Sequence, residues 1–259
     1  MEQAFTFPDS DGHKVSAVLA APEGRTDRAA VLCHGFLSNK NSTTNKALTR
    51  RLNAAGIATL RFDFFGQGES EGPFERITCT TALNQAMAAL DQAALKGFTR
   101  LALMGSSFGG LIATLTAASR KDLACLALKC PVPDFEEMLR LEFTPAGLAE
   151  WKRTNTIPNI TGAEGRIRLH YGFYEDCHRH AGYDAAKTVT APTLIVQGDC
   201  DEYVPMHQAH RLLEALQGPK RLEVLPGADH GFTKGPDFER MITLLSDWIT
   251  KHLNPPRAI

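Results

Sequence analysis

Serine is a weak nucleophile unless a base and an orienting acid stand beside it, and three short stretches of this 259-residue chain carry those residue types. The first is Leu101-Ala-Leu-Met-Gly105-Ser106-Ser107-Phe108-Gly109-Gly110, an apolar run that passes through Gly-x-Ser-x-Gly into a helical pattern. Where a strand turns sharply into a helix the two backbones approach closely, so positions two before and two after the serine must lack side chains. Gly105 and Gly109 meet that demand. Such a turn exposes the Ser107 hydroxyl at a helix N-terminus, where free N–H groups and the helix dipole favour developing negative charge. An ordinary glycine-rich turn would share the letters. The strand before it and the helical period after it favour the reactive reading.

With an elbow of this kind the acid follows the serine and the histidine comes last. Val196-Gln197-Gly198-Asp199-Cys200-Asp201-Glu202-Tyr203-Val204-Pro205 and Pro226-Gly227-Ala228-Asp229-His230-Gly231-Phe232 occur in that order. Each follows an apolar run, at the sheet edge where α/β proteins assemble their sites. Asp199, Glu202 and Asp229 compete with Asp201 as the acid. His34, His207, His210 and His252 compete with His230 but lie outside its loop.

The elements that must hold these loops are legible from periodicity. Short apolar runs at 29–33, 57–62, 101–104, 123–128, 193–196 and 222–225 read as buried parallel strands. Helical patterns fill the gaps at about 43–55, 81–96, 108–119, 206–216 and 237–253, the first two ending at Gly56 and Gly97. Alternation from Phe5 to Ala21 around Asp9-Ser10-Asp11-Gly12 predicts an antiparallel hairpin. The order implies a mostly parallel sheet of about eight strands with helices on both faces. Residues 130–190 break the rhythm and concentrate Phe135, Phe143, Trp151, Phe173, Tyr174 and Tyr183. A structureless loop of that length is improbable in a compact domain, so the expectation is a core of residues 1–129 and 191–259 carrying an inserted cap over 130–190.

Composition removes several other classes. With 28 Lys plus Arg against 29 Asp plus Glu and 43% hydrophobic residues, the chain is neither a basic nucleic-acid binder nor a disordered polyacid. At this length one α/β domain buries roughly 70–75% of its extended surface. The six cysteines show no CxxC spacing and read as small buried hydrophobes of a reducing compartment. The N-terminus MEQAFTFPDSDGHK lacks a signal-like apolar region, and no apolar run approaches the roughly 18 residues of a membrane helix. A cytoplasmic protein without membrane or nucleic-acid partners is expected. Whether it forms a homodimer is left open. Gly66-x-Gly68-x-Ser70 lacks the GxxxxGK pattern of a phosphate loop. His170 with Cys177-His178-Arg179-His180 fits no zinc spacing and reads as a solvated cap segment.

The motifs together resemble the α/β-hydrolase superfamily, and within it the small cap-bearing carboxylesterases that include cinnamoyl (feruloyl) esterases. The resemblance rests on His34-Gly35-Phe36, Arg61-Phe-Asp63-Phe-Phe-Gly-Gln-Gly-Glu-Ser70, the elbow Gly105 to Gly109, Asp201-Glu-Tyr-Val-Pro205 and Gly227-Ala-Asp-His230. It implies a catalytic triad of Ser107, Asp201 and His230, the acid being singled out by its place three residues before Val204-Pro205. It also implies an oxyanion hole formed by the backbone N–H groups of Phe36 and Phe108. His34 would brace its loop, Asp63 and Arg61 would tie strand end and loop together, and Asp199 would shape its own loop. Cys200, beside the triad acid, would be placed to sense the site. No cofactor or metal is implied, and the partner is a small-molecule ester.

Substrate remains open at this level. Phe135, Trp151, Phe173 and Tyr174 are candidates to hold an aryl or apolar group such as a hydroxycinnamoyl ester, or they form the cap's own core. A serine peptidase or amidase of the prolyl-peptidase type would use the same triad, with Glu136, Glu137 or Glu142 receiving a substrate amine. A non-catalytic binding protein on the same fold is the remaining alternative.

Overall fold

The computed structural model describes residues 1–160, 164–233 and 235–254. The N-terminal alternation forms strands β1 (Glu2–Pro8) and β2 (Lys14–Ala20), paired antiparallel across the Asp9 to Gly12 turn. The six apolar runs are strands as well: β3 (Arg28–Cys33), β4 (Ala58–Phe62), β5 (Arg100–Ser106), β6 (Leu123–Lys129), β9 (Thr193–Gly198) and β10 (Lys220–Leu225). These eight strands form one sheet in the order β1-β2-β4-β3-β5-β6-β9-β10. From β4 to β10 every pairing is parallel, and β2 meets β4 antiparallel. Crossovers of this kind place all the loops that follow β3, β5, β6, β9 and β10 along one edge.

The five expected helices are present as α1 (Thr43–Ala54), α2 (Cys79–Leu95), α3 (Phe108–Ser119), α8 (Met206–Ala215) and α9 (Asp237–Leu253). Side-chain alternation along the strands divides the core. Leu101, Leu103, Leu126 and Leu128 face α2, α3 and α8, whereas Ala102, Met104, Ala127 and Val196 face α1 and α9. The α1 cap shows why the helix begins where it does, since the Ser42 hydroxyl accepts the Asn45 N–H.

Between the neighbouring strands β6 and β9 the chain makes α4 (Phe135–Glu142), α5 (Pro145–Thr154), the ribbon β7 (Thr156–Pro158) with β8 (Arg166–Arg168), α6 (Gly172–Cys177) and α7 (Gly182–Ala186). Of the expected insertion, residues 161–163 lie outside the described residues. None of its elements has a long apolar period, so their existence was expressed in the sequence only as an aromatic-rich interruption. Thr144 and Asp134 cap α5 and α4 through the N–H groups of Gly147 and Glu137. The interior is aromatic: Trp151 stacks edge-on against Phe143, Tyr171 and Tyr174 and donates its indole N–H to the Leu169 carbonyl at 2.6 Å. Among the described residues no helix is long and apolar enough to cross a membrane.

Candidate active site

Ser107 occupies the turn between β5 and α3 with φ 52° and ψ −117°, a left-handed conformation that non-glycine residues avoid. The surrounding backbone holds it there. Its N–H donates to the Lys129 carbonyl at 2.9 Å, and its own carbonyl accepts from Gly110 at 2.8 Å. A Cβ on Gly105 would lie 2.2 Å from the Gly109 carbonyl oxygen, and one on Gly109 would lie 2.4 Å from that of His34. The two glycines are therefore steric requirements of the turn.

His230, in the loop after β10, shares a cavity wall with Ser107. Its Nδ1 lies 2.8 Å from Oδ2 and 3.0 Å from Oδ1 of Asp201, which follows β9. Asp201 also accepts from the backbone of Tyr203 at 3.0 Å and Val204 at 2.8 Å, and from the Gln197 side chain at 2.8 Å. Burial pushes the Asp201 carboxyl upward, but the His230 hydrogen bond and charge and the Val204 N–H outweigh it, leaving it below the usual carboxylate range. The acceptor so formed makes His230 an Nδ1 donor and leaves Nε2 free of that bond. The His230 backbone is tied at both ends, its N–H to Glu202 at 3.1 Å and its carbonyl to the Lys129 ammonium at 2.5 Å.

The rival acids are occupied elsewhere. Asp199 accepts the Gly227 N–H at 2.6 Å and so shapes the loop as expected, Glu202 holds the His230 backbone, and Asp229 accepts from Thr233. His34 braces its loop: Nε2 accepts the Phe64 N–H at 3.0 Å, which leaves Nδ1–H to donate to the Gly35 carbonyl at 2.7 Å. Complete burial pushes its pKa down to about 4, so it is neutral. Gly35 brings the loop against the nucleophile, with only 3.5 Å between its would-be Cβ and that of Ser107. Phe36 lines the Ser107 cavity, and Phe108 opens α3 with its ring fully buried.

Of the two residues expected to tie strand end and loop together, Asp63 does so and Arg61 does not. Asp63 accepts from the Lys40 backbone and ammonium and from Glu69 N–H, and a Cβ on Gly68 would fall 2.3 Å from its carboxylate. The Gly-x-Gly-x-Ser loop thus wraps a buried acid, while Arg61 reaches Glu2 at 2.8 Å. Cys200 is exposed, and the thiol that reaches Asp201 is that of Cys130. One ligand atom each of Cys130, Asp201 and His230 lie within 4.8 Å of one another. Burial pushes the Cys130 thiol up to about 12, so it stays protonated and is a poor metal ligand. The segment 177–180 is less solvated than expected: Cys177 packs against Cys79, and His180 meets Thr80 at 2.8 Å.

The cavity beside Ser107 and His230 has a volume of about 270 Å³ and is walled by Phe36, Val132, Phe135, Met138, Glu142, Ile160 and Tyr203. Of the four aromatics expected to meet a ligand, Phe135 alone lines this cavity among the described residues. Trp151 and Tyr174 belong to the insertion's core, and Phe173 packs behind Phe36, Phe108 and Phe135 at 5.1–6.0 Å. Large rings have the most area to hide, and here the interior of the insertion hides them. Val132, Met138, Ile160 and Tyr203 were not singled out beforehand, because a cavity wall has no sequence period.

A chain with this sheet order, elbow and insertion defines a recognisable class, and the model of the alpha/beta hydrolase family matches residues 30–238. The protein belongs to that family. A mouse (Mus musculus) protein named mitochondrial palmitoyl-protein thioesterase ABHD10 is 26% identical over 221 residues, covering 84% of this chain and 73% of its own. Among solved structures, Est1E from Butyrivibrio proteoclasticus with bound ferulic acid superposes with a TM-score of 0.83 at 25% identity, covering 96% of this chain and 99% of its own. The structure of mouse alpha/beta hydrolase domain-containing protein 10 shares the fold with a TM-score of 0.81 at 21% identity, covering 96% of this chain and 99% of its own. The family and its esterase and thioesterase relatives support hydrolase activity.

Proposed function

We propose that the protein is a serine hydrolase of carboxylic esters that works through an acyl-enzyme on Ser107. The observation that carries this reading is the strained Ser107 sharing a cavity with an imidazole whose Nδ1 is locked onto the buried Asp201. Ser107 Oγ attacks the acyl carbon while His230 Nε2 takes its proton. The oxyanion so formed receives the backbone N–H groups of Phe36 and Phe108, the latter at the positive end of α3. The C–O bond to the leaving group then breaks, and His230 returns the proton to the departing oxygen. Water attacks the acyl carbon in the second half, again losing a proton to His230, and Ser107 is regenerated with release of the acid. Asp201 holds the tautomer and stabilises the imidazolium throughout. No cofactor enters.

The insertion serves as a cap whose α4 supplies Phe135 and Met138 to the acyl cavity. At about 270 Å³ the space is near the lower end of small-molecule sites, which run from roughly 300 Å³ upward, and favours a compact aryl or short alkyl acyl group. A feruloyl or other hydroxycinnamoyl ester meets that description, and the thioester of the mouse relative widens the panel to sulfur leaving groups. The test is turnover of methyl ferulate, p-nitrophenyl butyrate and a butyryl thioester by wild type and Ser107→Ala, with organophosphonate labelling of the serine. Wild-type turnover by Ser107→Ala, or labelling at another residue, defeats the proposal.

A peptidase reading has one observation in its favour: Glu142 lines the cavity, whereas Glu136 and Glu137 are engaged by His178 and His207. Faster turnover of aminoacyl p-nitroanilides than of esters would select it. A binding protein without chemistry would leave Ser107 unreactive to phosphonates.

A further inference from the structure

Ser107 and His230 also border a second, smaller cavity of about 160 Å³, which opens on the α1 side of the sheet. Its character is opposite to that of the acyl cavity. The remaining wall is built largely from the side chains of Ser38, Ser42, Thr44, Ser106 and Lys129, and no carboxylate lines it among the described residues. Ser106 and Lys129 are register partners on the parallel strands β5 and β6, so their side chains leave the same face of the sheet.

Lys129 is only 6% exposed, yet its ammonium has no carboxylate partner among the described residues. One N–H donates to the His230 carbonyl and the Phe232 ring lies 5.4 Å away, which leaves donors uncommitted. A buried cation without a counter-charge is costly, and an arriving anion would remove that cost. Independently, Ser106 is 8% exposed and its hydroxyl has no hydrogen-bond partner among the described residues. The same space receives the start of α1, whose first turn holds no acidic residue to neutralise the helix dipole. A wider groove of about 550 Å³ shares Thr44 and Lys129 with this cavity and gives it further room.

We propose that this cavity is the leaving-group subsite and that it takes an alcohol or thiol bearing a small oxyanion, a carboxylate or phosphate, held by Lys129 and Ser106. The inference rests on Ser107 being the nucleophile, because the same residue then separates an apolar acyl chamber from a cationic leaving-group chamber. The reaction is unchanged by the assignment. The acyl C–O or C–S bond breaks, His230 returns its proton to the departing atom, and the anionic group stays ionised against Lys129 until release.

The test uses butyrate esters of alcohols carrying a terminal carboxylate or phosphate on two to five methylenes, each paired with the neutral n-alkyl ester of equal length. The readout is the ratio of kcat/KM between anionic and neutral partner within one protein, so any general loss through the His230 loop cancels. At the best linker length the wild-type ratio should exceed that of Lys129→Met by roughly tenfold or more, as expected for a charge-assisted hydrogen bond. Ser106→Ala should lower it by a smaller factor, and Lys129→Arg should restore part of it. Which series responds distinguishes carboxylate from phosphate. A ratio equal in wild type and Lys129→Met at every length, with both esters slowed alike, overturns the subsite and leaves Lys129 as a positioning residue for His230. If Lys129→Met fails to fold, Lys129→Gln and Ser106→Ala carry the same comparison.

Calorimetric binding of the free anionic alcohols to wild type and the Lys129 variants separates the two proposals. Lys129-dependent binding without ester turnover keeps the anion site, removes its leaving-group role and sinks the esterase reading. Ester turnover without Lys129-dependent binding or discrimination does the reverse.

Discussion

The loops at the carboxyl edge of the sheet and the insertion above them are held by different forces. At the sheet edge almost every functional side chain is gripped by backbone: Asp201 by two N–H groups, His34 by an N–H and a carbonyl, Ser107 by the strained turn itself. In the insertion, rings hold rings, with Trp151 touching Phe143, Tyr171 and Tyr174. Backbone hydrogen bonds fix a group's direction, as proton transfer requires. Side-chain packing fixes volume, as selection among acyl groups requires. Phe36, Phe108, Phe135 and Phe173 stack across the seam and couple the two regions.

If that division is right, changes at the sheet edge should act on rate, and changes in the insertion on stability and selectivity. The largest effect is expected for Ser107→Ala, which should lower kcat by at least about 10⁴-fold with an unchanged unfolding midpoint. Asp201→Asn should lower kcat by on the order of 10³–10⁴ while KM moves little, because the wrong tautomer is presented to Ser107. Steady-state kinetics beside thermal unfolding checks both. An Asp201→Asn protein losing stability but not rate would erase the distinction between the regions.

Trp151→Ala should cost about 3–5 kcal/mol in urea unfolding, through the cavity left in the insertion, yet leave Ser107 open to phosphonate labelling. Loss of labelling in the folded variant would mean the insertion orders the site itself.

His34 gives a pH test of the backbone-held side. Its folded pKa of about 4 lies below the unfolded value near 6.5, so the unfolded chain binds more protons between them and stability falls as pH drops through that window. Its contribution is whole above pH 6.5 and diminishes by up to roughly 3 kcal/mol by pH 4. Comparing the slopes of wild type and His34→Gln isolates it, and parallel slopes would refute the neutral buried imidazole. The smallest effect should come from Met138→Ala, which enlarges the acyl cavity and should shift the preference between butyrate and hexanoate esters by roughly 10-fold. An unaltered preference would remove α4 from the acyl site.

Much of this arrangement was legible before the structure. Gly105 and Gly109 announced the turn because only glycine tolerates that backbone approach, and the strands showed as apolar runs because a parallel sheet buries both faces. The acid-bearing loop and the histidine loop were recognisable from their order after the elbow, while Asp201 stood out from Asp199, Glu202 and Asp229 only through the family resemblance. The insertion's contents were less readable: α4 to α7 are short, and Trp151 and Phe135 look alike in sequence although one is core and the other lines a cavity. Lys129 left a faint trace, a single charge closing an apolar strand.

The sequence alone determined the local demands: which turn needs glycine, which runs must be strands, and the order in which serine, acid and base appear. Those follow from constraints acting over a few neighbouring residues. Only the tertiary structure decided that Cys130 and not Cys200 meets Asp201, that Phe135 faces the cavity while Trp151 does not, and that Ser106 and Lys129 share a polar chamber behind the serine. Each of these depends on strands far apart in sequence becoming neighbours. Side-chain direction across such a pairing is fixed by register and packing, which no single segment encodes.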